Sequence, residues 1–246
     1  MKIALIGYGK MGKAIEAIAL ERKHEIVLKI DHHNPEEFTA ANLSRADAAI
    51  EFTRPEAAYQ NIMKCFEAGV PVVCGTTGWL DRIDEVKKTC AEKNQAFFYA
   101  SNYSVGVNIL FEINRVLAGI MKTQPQYQAL IEEVHHVHKL DAPSGTAITL
   151  ANDLMEAVKR IKSRKDFDRR KDEKPDGTAH DELPVVSFRI KEMPGTHRVI
   201  YSGPDDDIMI MHHAKSRRGF AEGAVLAAEW VKGRKGVFSM KDLLNL

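Results

Sequence analysis

The sequence predicts an α/β protein in which a Rossmann-type doubly wound parallel sheet is joined to a second, α+β domain with a mixed or antiparallel sheet. Three observations carry that expectation. Strand-length apolar runs alternate with helical patterns through roughly the first hundred residues. Gly7, Gly9 and Gly12 form GxGxxG between the first apolar run and the first helical pattern. Beyond about Asn102 the last three apolar runs follow one another with no helical pattern between them. A chain of 246 residues also favours two domains, because a second core becomes favourable beyond about 100 to 150 residues.

Taken in order, "KIALI" is the first strand and "MGKAIEAIALER" the first helix, followed by strands at "EIVLKI" and "DAAIEF". A helix through "EAAYQNIMKCFEAG", a strand at "VPVVC", a further helix and a strand at "AFFYA" complete the series. Strands separated by helices of this length pair in parallel through right-handed crossovers, which gives an open, doubly wound sheet. Thr53 with Glu56 three residues later reads as a capping box, and Pro55 suits a first helical turn. "FTRPE" therefore lies at the carboxyl end of a strand, where such sheets bind ligands.

A helical pattern from Val105 to Met121 opens the second part and leads into the apolar, acidic run "YQALIEEVHHVH". "PVVSFRI", "HRVIYSG" and "DIMIMHH" read as strands, with "SGPDDD" a hairpin turn between the last two. A mixed or antiparallel sheet with helices on one face accommodates them. Lys159 to Gly177 carries dense charge of both signs and reads as a solvated helix end running into a mobile loop; acidic residues interrupt the basic ones, which argues against a nucleic-acid patch. Phe220, Ala224, Ala227, Ala228 and Val231 share one face of a last helix, expected to pack back on the first sheet.

Composition narrows the classes. With 44% hydrophobic and 28% charged residues and a formal charge of +1, nothing draws the chain towards a polyanion. The apolar run at the N-terminus is too short for a signal-peptide core, and no segment approaches the roughly 18 apolar residues that span a bilayer, so a cytoplasmic protein is expected. Cys65, Cys74 and Cys90 are odd in number and lack CxxC spacing, which suits buried free thiols rather than disulfides or a zinc site.

In the glycine loop, Gly7 permits the tight turn, Gly9 lets backbone approach a pyrophosphate and Gly12 lets helix and strand sit close. The helix start supplies free N–H groups and partial positive charge. Asp31 ends the second strand nineteen residues after Gly12, where a carboxylate accepts from a ribose diol. Asp31 argues for NADH, whereas Lys10, His32 and His33 offset its charge and make NADPH usable as well. Each of His32 and His33 taken singly is more simply a solvent-facing loop residue.

The segment "EVHHVHKLDAPSGTA", Glu133 to Ala147, is the second concentration of chemistry. If extended, it projects His135, Val137 and Lys139 one way and Val134, His136 and His138 the other. Pro143 and Ser144 then lead into Gly145, Thr146 and a helix whose start admits an anion. A small dicarboxylate beside a proton donor suits such a pocket. Alternation keeps the three histidines from facing together, so no metal is expected.

With these residues in view, the chain resembles the dihydrodipicolinate reductase (4-hydroxy-tetrahydrodipicolinate reductase) family of the diaminopimelate route to lysine. The resemblance extends from "EVHHVHKLDAPSGTA" to "GYGKMG", "FTRPE", "GTTG", "SNYSVGVN" and "AEGAVLAAEWVKGRKGVFSMKDLL", and so to nearly the whole chain. A short connection between Asp31 and Asp47 and an acidic, abbreviated region around Pro204 to Asp207 depart from it. The resemblance implies NAD(P)H-dependent reduction of a cyclic dicarboxylate, with His135 as proton donor and Lys139 as its partner. It implies that His136, Lys139, Gly145 and Thr146 hold the substrate carboxylates. Gly7, Tyr8, Gly9, Lys10, Met11, Gly12 and Asp31 would hold the dinucleotide, with Phe52, Gly75, Thr76, Thr77, Ser101, Asn102 and Tyr103 lining the nicotinamide side. It also implies a dinucleotide-binding domain of residues 1–103 and 218–246, a substrate-binding and oligomerisation domain of residues 104–217 that closes over it, and a homotetramer. Histidine, with an ordinary pKa of about 6.5, is matched to protonating the electron-rich carbon that hydride delivery leaves. Two alternatives are a related dehydrogenase of another small acid, and a non-catalytic NAD(H) sensor, for which a basic DNA-reading helix is expected and none is found.

Overall fold

In the computed structural model, which describes residues 1–171 and 178–246, the early alternation becomes five strands and four helices. These are β1 (Lys2–Ile6), α1 (Lys10–Glu21), β2 (Glu25–Ile30), α2 (Ala40–Leu43), β3 (Ala48–Glu51), α3 (Pro55–Glu67), β4 (Val72–Cys74), α4 (Ile83–Glu92) and β5 (Ala96–Tyr99). Next come α5 (Val105–Met121), β6 (Gln128–His135), α6 (Gly145–Ala157), β7 (Ser163–Asp168), β8 (Glu182–Arg189), β9 (Thr196–Ser202) and β10 (Asp207–His213). The chain ends with α7 (Arg218–Val231), β11 (Gly236–Phe238) and α8 (Met240–Leu244). It divides into two compact units, Met1–Val105 with Arg218–Leu246, and Gly106–Arg217.

The first unit is built on a six-stranded parallel sheet of order β11-β5-β4-β3-β1-β2. Its strands read as continuous apolar runs because both faces are covered. Ile3, Leu5, Ile50 and Phe98 pack with Ala224, Ala227, Ala228 and Val231 of α7 on one side. Ala4, Ile6, Ala49 and Phe97 pack with Ala58 and Ile62 of α3 on the other. The three cysteines are free and buried, as the sequence suggested. β11 and the short helices α2 and α8 were not anticipated, because three to five residues carry too little periodicity to register.

The second unit has a mixed sheet of order β10-β9-β6-β8-β7, antiparallel from β10 to β6 and parallel from β6 to β7. α5 and α6 cover one face through Leu110, Phe111, Leu150 and Leu154, which meet Ala129 and Ile131 of β6, Leu183 and Val185 of β8, and Val199 and Tyr201 of β9.

Two local expectations need correction. Arg54, not Thr53, is the N-cap of α3, and Pro55 is its first residue; the Thr53 hydroxyl instead donates to the buried carboxylate of Glu51. Lys159 to Gly177 is not simply a helix end and loop: Ser163–Asp168 forms β7, an edge strand paired with β8, and residues 172–177 lie outside the described residues. The charges that suggested a loop are those tolerated on an edge, where Arg164 pairs with Asp166 at 2.7 Å while Phe167 turns inward. No helix among the described residues is long and apolar enough to cross a membrane.

Candidate active site

In the first unit, β1 lies between β2 and β3, so the strand order reverses beside it and a crevice opens at the carboxyl ends. Gly7, at φ +95°, sits so close under β3 that a Cβ would lie 2.0 Å from the Phe52 carbonyl oxygen. A Cβ on Gly12 would lie 2.3 Å from the Gly7 carbonyl oxygen, so both glycines are required by the fold itself. Gly9 is different: a Cβ there would meet nothing within 4 Å. Its bareness leaves an open cradle at the start of α1, whose first turn carries no acidic residue. A dinucleotide phosphate fits that cradle, because free N–H groups and the helix dipole converge on it.

Beside the loop is a cavity of about 720 Å³ lined by Gly7, Tyr8, Gly9, Asp31, His32 and Phe52, and also by Arg54, Asn61 and Lys64, which sequence reasoning missed. Asp31 accepts from the His33 backbone N–H at 2.7 Å. A smaller hollow of about 250 Å³ joins Met11, Phe52, Gly75, Thr76 and Thr77. Gly75 is bare because a Cβ would lie 2.2 Å from the Phe52 ring. The buried Thr76 hydroxyl accepts from the Thr53 N–H at 2.7 Å and ties the two loops together. Tyr103 is 2% exposed and donates to the Cys74 carbonyl at 2.7 Å, so its side chain is a buttress, whereas Ser101 is exposed and Asn102 half-buried. Lys10 is exposed at the start of α1.

The second unit gathers the histidine segment at one end of its sheet. On the helix-covered face the apolar stripes give way at one level: Ala129 and Ile131 to Glu133 and His135 on β6, Leu183 and Val185 to Ser187 and Arg189 on β8, Tyr201 and Val199 to His197 on β9. The pairings Glu133 with His197 and His135 with Arg189 set this register. His135 Nδ1 is hydrogen-bonded to the Glu133 carboxylate, which is fully buried and also receives Arg189 Nη2 at 2.8 Å and the Ser144 N–H at 3.3 Å. Burial opposes ionisation of Glu133, yet the hydrogen bonds from His135 and Arg189 outweigh it and hold its pKa at about 2. The His197 ring is 5.1 Å from that of His135, and its Nε2 is hydrogen-bonded to Ser144 Oγ at 3.0 Å. Burial first, and then the neighbouring His135, lower the pKa of His197 to about 3.

β6 stops at His135, which corrects the extended reading of the whole segment. The Lys139 N–H donates to the His136 carbonyl at 3.1 Å and closes a turn, so alternation does not carry on to Val137 and Lys139. The case against a shared metal loses that basis. Ligand atoms of Glu133, His135 and His197 lie within 4.8 Å of one another, although each is already engaged as described. His136 lies 3.4 Å from Arg217 Nη2, and His138 is exposed. Lys139 pairs with Asp141 at 2.9 Å, while Arg170 and Arg189 donate to the Lys139 carbonyl at 3.2 and 3.3 Å. Ser144 caps α6, accepting from the Ala147 N–H at 3.3 Å, and a Cβ on Gly145 would meet nothing within 4 Å. His135, His136, Lys139, Gly145 and Thr146 are thus brought to one end of one unit. The sequence reading overlooked Glu133, Arg189 and His197 as part of this cluster.

Comparison with known proteins places this architecture. The family model described as dihydrodipicolinate reductase, N-terminus, matches residues 1–103, and that described as dihydrodipicolinate reductase, C-terminus, matches residues 106–244. A curated 4-hydroxy-tetrahydrodipicolinate reductase of Christiangramia forsetii is 46% identical over 249 residues, spanning 100% of this chain and 98% of that protein. One of Neisseria meningitidis serogroup B is 34% identical over 94% of this chain and 84% of that protein. Among solved structures, a dipicolinate-bound dihydrodipicolinate reductase from Paenisporosarcina sp. TG-14 shares the fold with a TM-score of 0.78 at 21% identity, over 97% of each chain.

Proposed function

The chain belongs to the dihydrodipicolinate reductase family, and from that premise we propose that it reduces 4-hydroxy-tetrahydrodipicolinate to tetrahydrodipicolinate with NADH or NADPH, in the diaminopimelate route to lysine. One observation carries the catalytic part: His135 stands at a sheet end amid Lys139, His136 and the start of α6, so a proton donor and anion-receiving groups share one locality. With the 4-hydroxyl group lost as water, a reduced nicotinamide, when bound, would supply the hydride to the conjugated ring that results. His135 gives a proton to the electron-rich carbon that remains. Lys139 exchanges Asp141 for a substrate carboxylate, and His136 with the Gly145 and Thr146 N–H groups receives the other.

On the cofactor side, Asp31 receives the ribose diol, while Lys10, Arg54 and Lys64 offset its charge and admit a 2′-phosphate. Both nucleotides therefore serve. A cytoplasmic homotetramer is the assembly we expect; Met209 and Met211, 51% and 55% exposed on the edge strand β10, favour burial against another copy. The test is a coupled assay in which pyruvate and aspartate semialdehyde are condensed by the preceding enzyme and loss of reduced nicotinamide absorbance is followed. Steady loss with either nucleotide is expected; none with both rejects the assignment.

A further inference from the structure

We propose that Glu133, locked by Arg189, is the positioning residue that makes His135 a proton donor through Nε2. The inference rests on the function proposed above but concerns groups to which it gives no role. The Glu133 side chain is an anion with no exposure at all, and the Arg189 side chain is only 1% exposed. A carboxylate so placed is costly unless each oxygen is occupied. Oε1 receives Arg189 and the Ser144 N–H, which leaves Oε2 to face His135 Nδ1. A carboxylate oxygen can only accept, so Nδ1 must carry hydrogen, and the exchangeable proton is assigned to Nε2.

The surroundings of Nε2 agree. Among the described residues no protein group bonds it, and the absent Cβ of Gly195, which would lie 3.0 Å from it, keeps that end of the ring open. The low pKa of Glu133, about 2, makes it a poor destination for the proton, so it orients the ring without taking over as acid. Arg189 also donates to the carbonyls of Lys139 and Asp141. One guanidinium therefore fixes the proton donor and the backbone that carries the anion-binding lysine. Arg170 braces the same loop through the carbonyls of Lys139 and Leu140, each at 3.2 Å.

Two measurements test this. Solid-state 15N NMR of ligand-free, histidine-labelled protein precipitated from alkaline solution, with His135 assigned by its loss in His135→Gln, should show the neutral ring protonated at Nδ1, and Glu133→Gln should lose that preference. A wild-type ring protonated at Nε2 overturns the proposal. In steady state, Glu133→Gln should lower kcat by about 100-fold while KM for the dicarboxylate and NADH affinity change by less than about threefold. If the buried Arg189 charge prevents that variant from folding, Glu133→Gln with Arg189→Gln removes both charges and should show the same kcat loss. Near-normal kcat in either folded variant overturns the proposal. The NMR result needs no substrate, so failure of the wild type to turn over the heterocycle would reject the proposed reaction and leave the tautomer assignment standing.

Discussion

His197 should make the second unit progressively less stable as pH falls below neutrality. It is 4% exposed, and its folded pKa of about 3 lies far below the value of about 6.5 for an unfolded chain. Below pH 6.5 the unfolded chain binds a proton that the folded protein refuses, so stability is lost as pH drops through 6.5 and the loss ends only near 3. Each pH unit in that window is about 1.4 kcal/mol, and pH 5 lies about 1.5 units into it, so the expected loss between pH 7 and 5 is about 2 kcal/mol. Glu133 does not contribute there: its carboxylate is depressed, so its contribution is full above about 4.5 and is lost as pH falls towards 2. The comparison is with His197→Gln, which retains a polar group for Ser144 and leaves every other titratable group common to both proteins. Urea unfolding at pH 7, 6 and 5, with hydrogen exchange of β9 to localise the change, should give a pH dependence shallower by about 2 kcal/mol in the variant. Parallel losses in both proteins would show that His197 is accessible to protons in the folded state and refute the reasoning.

Four further outcomes are expected from substitutions. His135→Gln should lower turnover by about two to four orders of magnitude with little change in substrate affinity, whereas Lys139→Ala should raise the dicarboxylate KM roughly 10- to 100-fold and leave NADH affinity intact, both read by steady-state kinetics and direct NADH titration. Asp31→Ala should move the NADPH to NADH preference upward by removing a like-charge repulsion; an unchanged ratio would separate Asp31 from the ribose. Gly12→Ala forces a Cβ to 2.3 Å from the Gly7 carbonyl oxygen, so thermal unfolding should report a loss of about 1 to 3 kcal/mol and calorimetry a weaker nucleotide Kd.

The fold was legible wherever one element carried its own signal. "KIALI" and "AFFYA" announced buried strands by continuous apolarity, and α5 spans the Val105 to Met121 pattern because its buried positions recur at helical spacing. Failures arose where two local rules competed. Thr53 has the spacing of a cap, but a hydroxyl two residues from a fully buried carboxylate bonds that carboxylate first. β7 was concealed because an edge strand can wear the charges of a loop, and only pairing with β8 reveals it.

The site divides along the same line. Gly7, Gly12 and the capped start of α6 are properties of a few consecutive residues, so spacing alone places them. Glu133, Arg189 and His197 are functional only jointly, and what joins them is register among three strands. β6 alone offers Glu133 as one acidic residue beside Glu132, and nothing within the segment says that the first is buried and the second meets solvent. One signal was present: "VVSFR" and "THRVIY" each break an apolar alternation with an ionisable residue near a strand end, as "IEEVH" does. Three such breaks at one level of a sheet leave a buried anion, a buried cation, the buried imidazole of His197 and the Nδ1 edge of His135 facing one another, and each then has to satisfy the others. That mutual requirement is why His135 is held by Nδ1, and why a substitution at Arg189, far along the chain, should be felt at the proton donor.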